Sequence, residues 1–182
     1  VSSTTPDGGT TNYWYDVFGR IAVSQNEKQE VDGYYSYTKY DEIGRLVEGG
    51  QVNNVPVISE LIVKIPASLE SWINSGTRSE VTRSYYDFTL DASITAKFNS
   101  SQTNLRNRIS TVAYYDQNYT GNDLSYDHAT HYSYDVHGNV LEVIQDNPEL
   151  AYIGQEDKHT EYEFELISGN VNKVCLLYTS PS

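Results

Sequence analysis

The stretch Tyr132-Ser133-Tyr134-Asp135-Val136-His137-Gly138-Asn139-Val140 decides the fold. Tyr132 and Tyr134 alternate with smaller neighbours, the period-two signature of a strand. Asp135 then takes the first position of a type I turn, where its carboxylate accepts a hydrogen bond from the backbone two residues on. Gly138, three residues later, supplies the left-handed conformation that closes a hairpin at no Cβ penalty. Val140 begins the return strand. One such unit predicts one β-hairpin. Its aspartate and glycine read as turn chemistry and not as catalytic groups.

The unit recurs. Tyr15-Asp16-Val17-Phe18-Gly19-Arg20-Ile21 and Tyr40-Asp41-Glu42-Ile43-Gly44-Arg45-Leu46 are full copies. Phe164-Glu165-Leu166-Ile167-Ser168-Gly169-Asn170-Val171 is looser, with one extra residue before Gly169 and Asn170. A further copy is split by an insertion, Tyr86-Asp87 supplying its front and Asn107-Arg108-Ile109 its back. The copies fall near 13–23, 37–48, 85–112, 132–146 and 162–174 of a repeat region spanning 13–174. Residues 1–12 read as a leading strand or a disordered segment. Residues 175–182 depart from the pattern and read as a non-native tail, which holds the chain's one cysteine, Cys175. A lone hairpin cannot bury enough surface to be stable. Stacked hairpins can, each touching mainly its neighbours. Tyrosines in ladders across adjacent strands then add roughly 0.2–1 kcal/mol per pair. The fold expected is all-β, a continuous sheet of consecutive antiparallel hairpins.

The spacing between copies is uneven, and the excursions have structure of their own. In Ile65-Pro66-Ala67-Ser68-Leu69-Glu70-Ser71-Trp72-Ile73-Asn74-Ser75-Gly76, proline suits a first helical turn and glycine an end. Leu69, Trp72 and Ile73 share one helical face. The spacing predicts one short helix over 67–75, packed onto the sheet by Trp72. A strand is expected from Thr77 to Leu90, a polar loop from Phe98 to Arg106, and a strand from Asn107 to Tyr115.

Composition agrees. The chain has 182 residues, 17 of them tyrosine, and no methionine. Tyrosine favours strands, where the ring packs and the hydroxyl stays near water. The length fits one domain with a real core, and nothing marks a linker. A first residue of Val1 and the absence of Met read as an internal piece of a longer polypeptide, which leaves room for a signal peptide or anchor outside it. Within the chain no apolar run approaches a membrane span. Net charge is −13, from 25 acids against 12 Lys and Arg. Such a surface repels phosphate backbones and anionic membranes, which argues against nucleic-acid binding. It is first a matter of solubility, and second a wall suited to a basic partner. One cysteine makes no internal disulfide and no zinc site.

The repeated Tyr-Asp-x-x-Gly-Arg/Asn unit resembles the YD repeats of the Rhs family. Tyr132 to Val140 looks like a strong copy, and so does Ser168-Gly169-Asn170-Val171-Asn172-Lys173-Val174. In that family such repeats form a long sheet spiralling into a hollow shell. In bacterial members the shell commonly encloses a variable toxic C-terminal domain, and in animal relatives similar repeats serve adhesion. The resemblance implies a shell segment, secreted or surface-displayed, whose partners are neighbouring repeats and an enclosed toxin domain. Self-cleaving aspartates of the family's core segment have no match here, and neither self-cleavage nor toxin activity is carried onto any residue.

Chemical constellations are sparse. Asp116, Asn118, Thr120, Gly121 and Asp127 match positions 1, 3, 5, 6 and 12 of a calcium-loop template. Asp127 stands where Glu usually binds bidentately, Asp123 occupies an apolar position, and neither flank reads as helix. A polar loop is the expectation there. His128, His131, His137 and His159 read as exposed, since a zinc site needs three or four convergent ligands. No nucleophile elbow, phosphate loop or Cys-His pair is visible. The reading is no enzyme, no cofactor and no metal. The alternative function is an adhesive or carbohydrate-binding surface, with Trp14 and Trp72 as stacking platforms. A sheet cut from a longer one has open edges, so poor stability or self-association is expected.

Overall fold

The computed structural model describes residues 1–5, 9–165 and 169–178. The strands are β1 (Ser2–Thr5), β2 (Gly9–Tyr15), β3 (Ile21–Asn26), β4 (Tyr34–Tyr40), β5 (Leu46–Asn53), β6 (Thr77–Tyr86), β7 (Ile109–Tyr115), β8 (His128–Tyr134), β9 (Val140–Asp146), β10 (Asp157–Phe164) and β11 (Val171–Tyr178). Their order in the sheet is their order in the chain. Pairing is antiparallel from β1 to β5 and from β7 to β11. The all-β architecture read from the repeats holds.

Helical content is richer than the single helix expected. That helix is present as Pro66–Asn74 (α3), with Pro66 in its first turn and Leu69, Trp72 and Ile73 buried. It is preceded by α1 (Glu27–Asp32) and α2 (Glu60–Lys64), and followed by α4 (Ala92–Lys97) and a 3₁₀ turn at Pro148–Ile153. These elements are too short to show apolar periodicity, and their caps define them. In α1 the Asn26 side chain accepts from the Gln29 N–H at 2.8 Å, while the Gln29 side chain accepts from the Asn26 N–H at 3.0 Å, a reciprocal capping box. In α4 the Asp91 carboxylate accepts from the Ser93 N–H at 2.8 Å.

The chain divides into two compact units, Val1–Thr82 with Tyr115–Asn122, and Arg83–Tyr114 with Asp123–Ser182. In the first, cross-strand partners Trp14, Val23 and Tyr37 share a sheet face, as do Tyr35 and Val52. That face meets Val63 of α2 and Leu69, Trp72 and Ile73 of α3. Tyr35 touches both indoles edge-on, at 6.1 Å from Trp14 and 5.3 Å from Trp72. Gly76 lets α3 end against β5: a Cβ there would lie 2.4 Å from the Asn53 carbonyl oxygen. Trp72 is 4 % exposed and its Nε1 donates to the Pro56 carbonyl at 2.7 Å. Its place is therefore the core, as the sequence reading preferred, and it presents no stacking platform.

In the second unit the covering is partly polar. Ile94 of α4 and Phe98 pack on Ile144 of β9, with Leu90 beside them. The segment beyond α4 has no regular structure, yet it is pinned to the sheet. The Gln102 amide donates to the Ser110 and Tyr132 carbonyls at 2.7 and 3.0 Å, and the Asn104 amide donates to the Tyr134 carbonyl at 2.7 Å. β11 runs on to Tyr178, opposite Lys158 of β10, so backbone pairing extends through Cys175. Residues 179–182 of the segment read as a tail, Leu166 to Ser168 of the loose copy and Pro6 to Gly8 lie outside the described residues.

Candidate functional site: the turn ladder and the buried carboxylates

The repeated turn is one geometry built three times. In each full copy the aspartate N–H donates across the hairpin to the carbonyl of the Arg or Asn: Asp16 to Arg20 at 2.9 Å, Asp41 to Arg45 at 2.9 Å and Asp135 to Asn139 at 3.0 Å. The glycine N–H donates back to the aspartate carbonyl at 3.0–3.2 Å. Gly19, Gly44 and Gly138 have φ of 76°, 90° and 98°, the left-handed region. The aspartate carboxylate caps the turn as expected, accepting from the N–H two residues on, in Phe18, Ile43 and His137, at 2.8, 3.1 and 2.8 Å.

The same carboxylate does more than the sequence reading foresaw. Its first oxygen also accepts from the N–H of Arg20, Arg45 or Asn139 at 2.8–2.9 Å. Its second oxygen takes the side chain of that residue: Arg20 Nε at 2.7 Å, Arg45 Nε at 2.6 Å and Asn139 Nδ2 at 2.8 Å. Arg and Asn both serve in this position, each presenting a side-chain N–H to the carboxylate at 2.6–2.8 Å. Burial works to raise the carboxyl of Asp16, but the backbone and side-chain donors of Arg20 outweigh it and hold it below its ordinary value. Asp41 and Asp135 are held down in the same way by Arg45 and Asn139.

The split copy closes in the same manner across its insertion. Asp87 N–H donates to the Arg108 carbonyl at 3.2 Å, and Asn107 N–H donates to the Asp87 carboxylate at 2.5 Å. Asn107 has φ of 59°, taking the left-handed place that glycine holds elsewhere; asparagine tolerates it better than most residues. In the loose copy Glu165 N–H donates to the Asn170 carbonyl at 2.8 Å, and Gly169 N–H to the Glu165 carbonyl at 2.9 Å.

Adjacent copies are linked in a repeating way. The Arg20 guanidinium lies over the Tyr40 ring at 4.2 Å, and the Tyr40 hydroxyl donates to the Ile21 carbonyl at 3.1 Å. In the second unit Arg108 lies over Tyr134 at 5.4 Å, and the Tyr134 hydroxyl donates to the Ile109 carbonyl at 2.8 Å. The Tyr and the Arg of the motif thus serve the joint between repeats. Each such cation–π contact is worth about 0.5–1 kcal/mol at an exposed site.

A bulge follows every full turn. Tyr15 pairs with Ile21 but Trp14 with Val23; Tyr40 pairs with Leu46 but Lys39 with Glu48; Tyr134 pairs with Val140 but Ser133 with Glu142. The skipped residue turns the next position inward. Glu48 and Glu142 consequently stand on the covered face, 1 % and 3 % exposed. Glu48 accepts from the Tyr37 hydroxyl at 2.8 Å and pairs with Arg78 at 3.3 Å and Lys39 at 3.4 Å. Burial and the Glu48 charge together raise the Tyr37 hydroxyl. Glu142 lies 3.1 Å from His159 Nδ1. Nearby, Asp146 takes Lys97 at 2.7 Å and the Tyr126 hydroxyl at 2.6 Å. Burial works to raise its carboxyl, and the donors around it win, holding it at about 2. Lys97 also pairs with Asp157 at 2.7 Å.

These acids and two of the histidines were missed in the sequence. His131 is fully buried, against the expectation of exposure: its Nδ1 lies 2.9 Å from Thr111 Oγ1, and its Nε2 is 3.5 Å from Asp146 without a hydrogen bond. His159 is also largely covered by its position beside Glu142, at 15 % side-chain exposure. Insertion residues the period-two pattern does not place, Lys97 and Asn99, supply the cover. The signal that was present is the acid seven residues after the motif aspartate, in both the second and the fourth unit of the chain's motif, Glu48 and Glu142.

The calcium-loop candidates have backbone roles. The Asp116 carbonyl accepts from the Glu80 N–H at 2.7 Å, and the Asp127 N–H donates to the Tyr114 carbonyl at 2.9 Å. Asn118 is left-handed with φ of 53° and Thr120 is exposed. Among the described residues no group of three or more His, Cys, Asp or Glu is placed to hold a metal ion, and no helix is long and apolar enough to cross a membrane.

The fold and its turns define a class, an antiparallel sheet of consecutive Tyr-Asp hairpins. Among solved structures, the chain is similar to TcdB2-TccC3 without its hypervariable C-terminal region, at 13 % identity over 98 % of this chain, with a TM-score of 0.41. It is also similar to TcdB2-TccC3-TEV, at 15 % identity over 97 % of this chain, with a TM-score of 0.42. The chain spans 8 % of the length of each. No family model and no curated protein matches it.

Proposed function

We propose that this chain is a structural segment of an RHS-type repeat wall, secreted or displayed at the cell surface, that encloses or presents a C-terminal toxin or effector domain carried elsewhere on the same polypeptide. It performs no catalysis of its own. The observation that carries the reading is the joint between copies, in which the Arg of one turn lies over the Tyr of the next and that Tyr caps the carbonyl beyond the Arg. The motif aspartate closes its own turn, and the motif Arg and Tyr hold that turn to its neighbour, as a wall requires. The acidic balance of −13 suits a basic enclosed domain.

The test is to clone the uninterrupted gene, purify its product and treat it with protease. The expected result is a distinct domain beyond the repeats that resists digestion while the repeats are folded and is degraded once mild denaturant opens them. A gene whose repeats run directly into a membrane or wall anchor, or a terminal domain cut as fast as when free, would overturn the reading.

A second reading, an adhesive or carbohydrate-binding surface, has one observation of its own. On the face of the second unit opposite α4, Tyr132 stacks with Tyr134 at 6.5 Å, and Tyr162 with Phe164 at 6.3 Å. Glycan-array binding abolished by Tyr132→Ala and Tyr162→Ala, in proteins that keep their fold, is the result this reading expects.

A further inference from the structure

Within the first unit, the face away from α3 carries a cavity of about 330 Å³, within the range of small-ligand sites. Its walls are unusual in their hydrogen-bonding inventory. Four carboxamides, from Gln51, Asn53, Gln117 and Asn118, surround it, and the hydroxyls of Tyr34, Thr77 and Ser79 join them. Glu80 and Asp116 are the lining residues that carry carboxylates, and no Lys, Arg or His is among the lining residues. The arginine of the same strand, Arg78, is directed elsewhere, to Glu48 at 3.3 Å and over the Tyr119 ring at 4.5 Å.

Glu80 is placed there at a conformational cost. Its φ is 50°, inside a β-strand, a left-handed conformation that strains a non-glycine residue. The strain is held by its N–H, which donates to the Asp116 carbonyl at 2.7 Å. The exposed carboxylate turns toward Gln51, whose Nε2 donates to it at 2.5 Å. One neutral amide donor leaves the charge of Glu80 without a cation in the cavity wall. The carboxamide and hydroxyl side chains among the lining residues can accept hydrogen bonds, and Tyr34, also a lining residue, carries a ring of the kind that attracts positive charge. Anions are excluded by the same charge and by the acidic chain as a whole.

We propose that this cavity binds the guanidinium or ammonium group of an organic cation, with Glu80 as its counter-charge and the surrounding carboxamide and hydroxyl oxygens taking the remaining N–H donors. The inference is independent of the wall reading. It requires nothing of the Asp116 side chain, whose residue contributes through its backbone carbonyl.

The experiment is an amide-shift NMR titration of the whole chain with four probes: agmatine, a Gly-Arg-Gly amide peptide, its citrulline counterpart as an uncharged isostere, and maltose. Saturable shifts at residues 51–53, 77–80 and 117–118 with agmatine or the arginine peptide, and none with citrulline, are expected. Tighter binding of agmatine makes a free cation the source, and tighter binding of the peptide makes it a basic side chain. Glu80→Gln, isosteric and exposed, is expected to weaken binding about tenfold or more, as removal of a charged hydrogen-bond partner does. Glu163→Gln, an exposed carboxylate of the second unit, is expected to leave the affinity unchanged. Equal binding of the citrulline peptide, stronger binding of maltose, unaltered affinity in Glu80→Gln, or equal loss in Glu163→Gln would each overturn the proposal.

Discussion

The two units cover their sheets by different means. In the first, α2 and α3 lay Val63, Leu69, Trp72 and Ile73 on an aromatic and aliphatic face. In the second, a short α4 adds Ile94 and Phe98, and much of the remaining cover is polar: Lys97 on Asp146, Asn99 and His159 on Glu142, Gln102 and Asn104 on strand carbonyls. Yet the hairpin turns are alike in both, down to the two oxygens of the motif aspartate. The comparison teaches that the turn specifies register and joint, while the insertion specifies how the face is closed. A repeat protein can therefore vary its insertions freely so long as the bulge after each turn keeps presenting the same face.

The sharpest way to break this comparison is to remove the centre of each covering. Trp72→Ala deletes the largest side chain between α3 and the sheet and is expected to cost about 3–5 kcal/mol, as buried aromatic truncations do. Denaturant unfolding reads the cost, and hydrogen exchange is expected to show the loss of protection concentrated in residues 1–82 and 115–122. Uniform loss would mean that the units do not differ in how they are held.

Asp146→Ala attacks the polar covering. Breaking a buried ion pair typically costs about 3–5 kcal/mol; Lys97 keeps Asp157 as a partner, so about 2–3 kcal/mol is expected here. The pH dependence gives a second readout. Asp146 titrates at about 2 in the folded chain against an ordinary 3.8. Its depressed value stabilises the fold above about pH 4, and that contribution, roughly 2 kcal/mol, is lost as pH falls toward 2. Urea unfolding between pH 5 and pH 2 is expected to show a shallower acid limb in Asp146→Ala than in the parent. Identical limbs would remove Asp146 from the account.

Smaller effects test what the units share. Asp16→Ala removes the turn cap and the Arg20 clasp together, with an expected cost of about 1–2 kcal/mol from lost charge-assisted hydrogen bonds at a half-exposed site. Asp135→Ala, where the clasp is the neutral Asn139, is expected to cost less and to respond less to salt. Equal costs and equal salt dependence would show that the arginine adds nothing to the turn. Smallest is Tyr40→Phe, which keeps the ring under Arg20 and removes only the bond to the Ile21 carbonyl, for about 0.5–1 kcal/mol in thermal or denaturant unfolding.

Much of this was legible in the chain. Tyr132 and Tyr134 showed a strand by alternation; Asp16, Asp41 and Asp135 showed turns by their spacing to glycine; Pro66 and Gly76 bracketed α3. These are local signals, set by two or three neighbouring dihedrals. The buried site was less legible. Glu48 and Glu142 face inward because a bulge shifts the register by one residue, and a one-residue shift exchanges the faces of a strand. His131 is buried because residues distant in sequence, Thr111, Tyr126 and Asp146, surround its ring.

The sequence by itself determined the hairpins, their antiparallel succession and the aspartate-capped turns, because each full copy is fixed by side chains within seven residues of one another. Tertiary structure alone decided which acids became buried and paired, and that Glu80 lines a polar cavity. Those outcomes depend on which distant segment comes to lie on each face, and no local spacing encodes the partner that desolvates a charge.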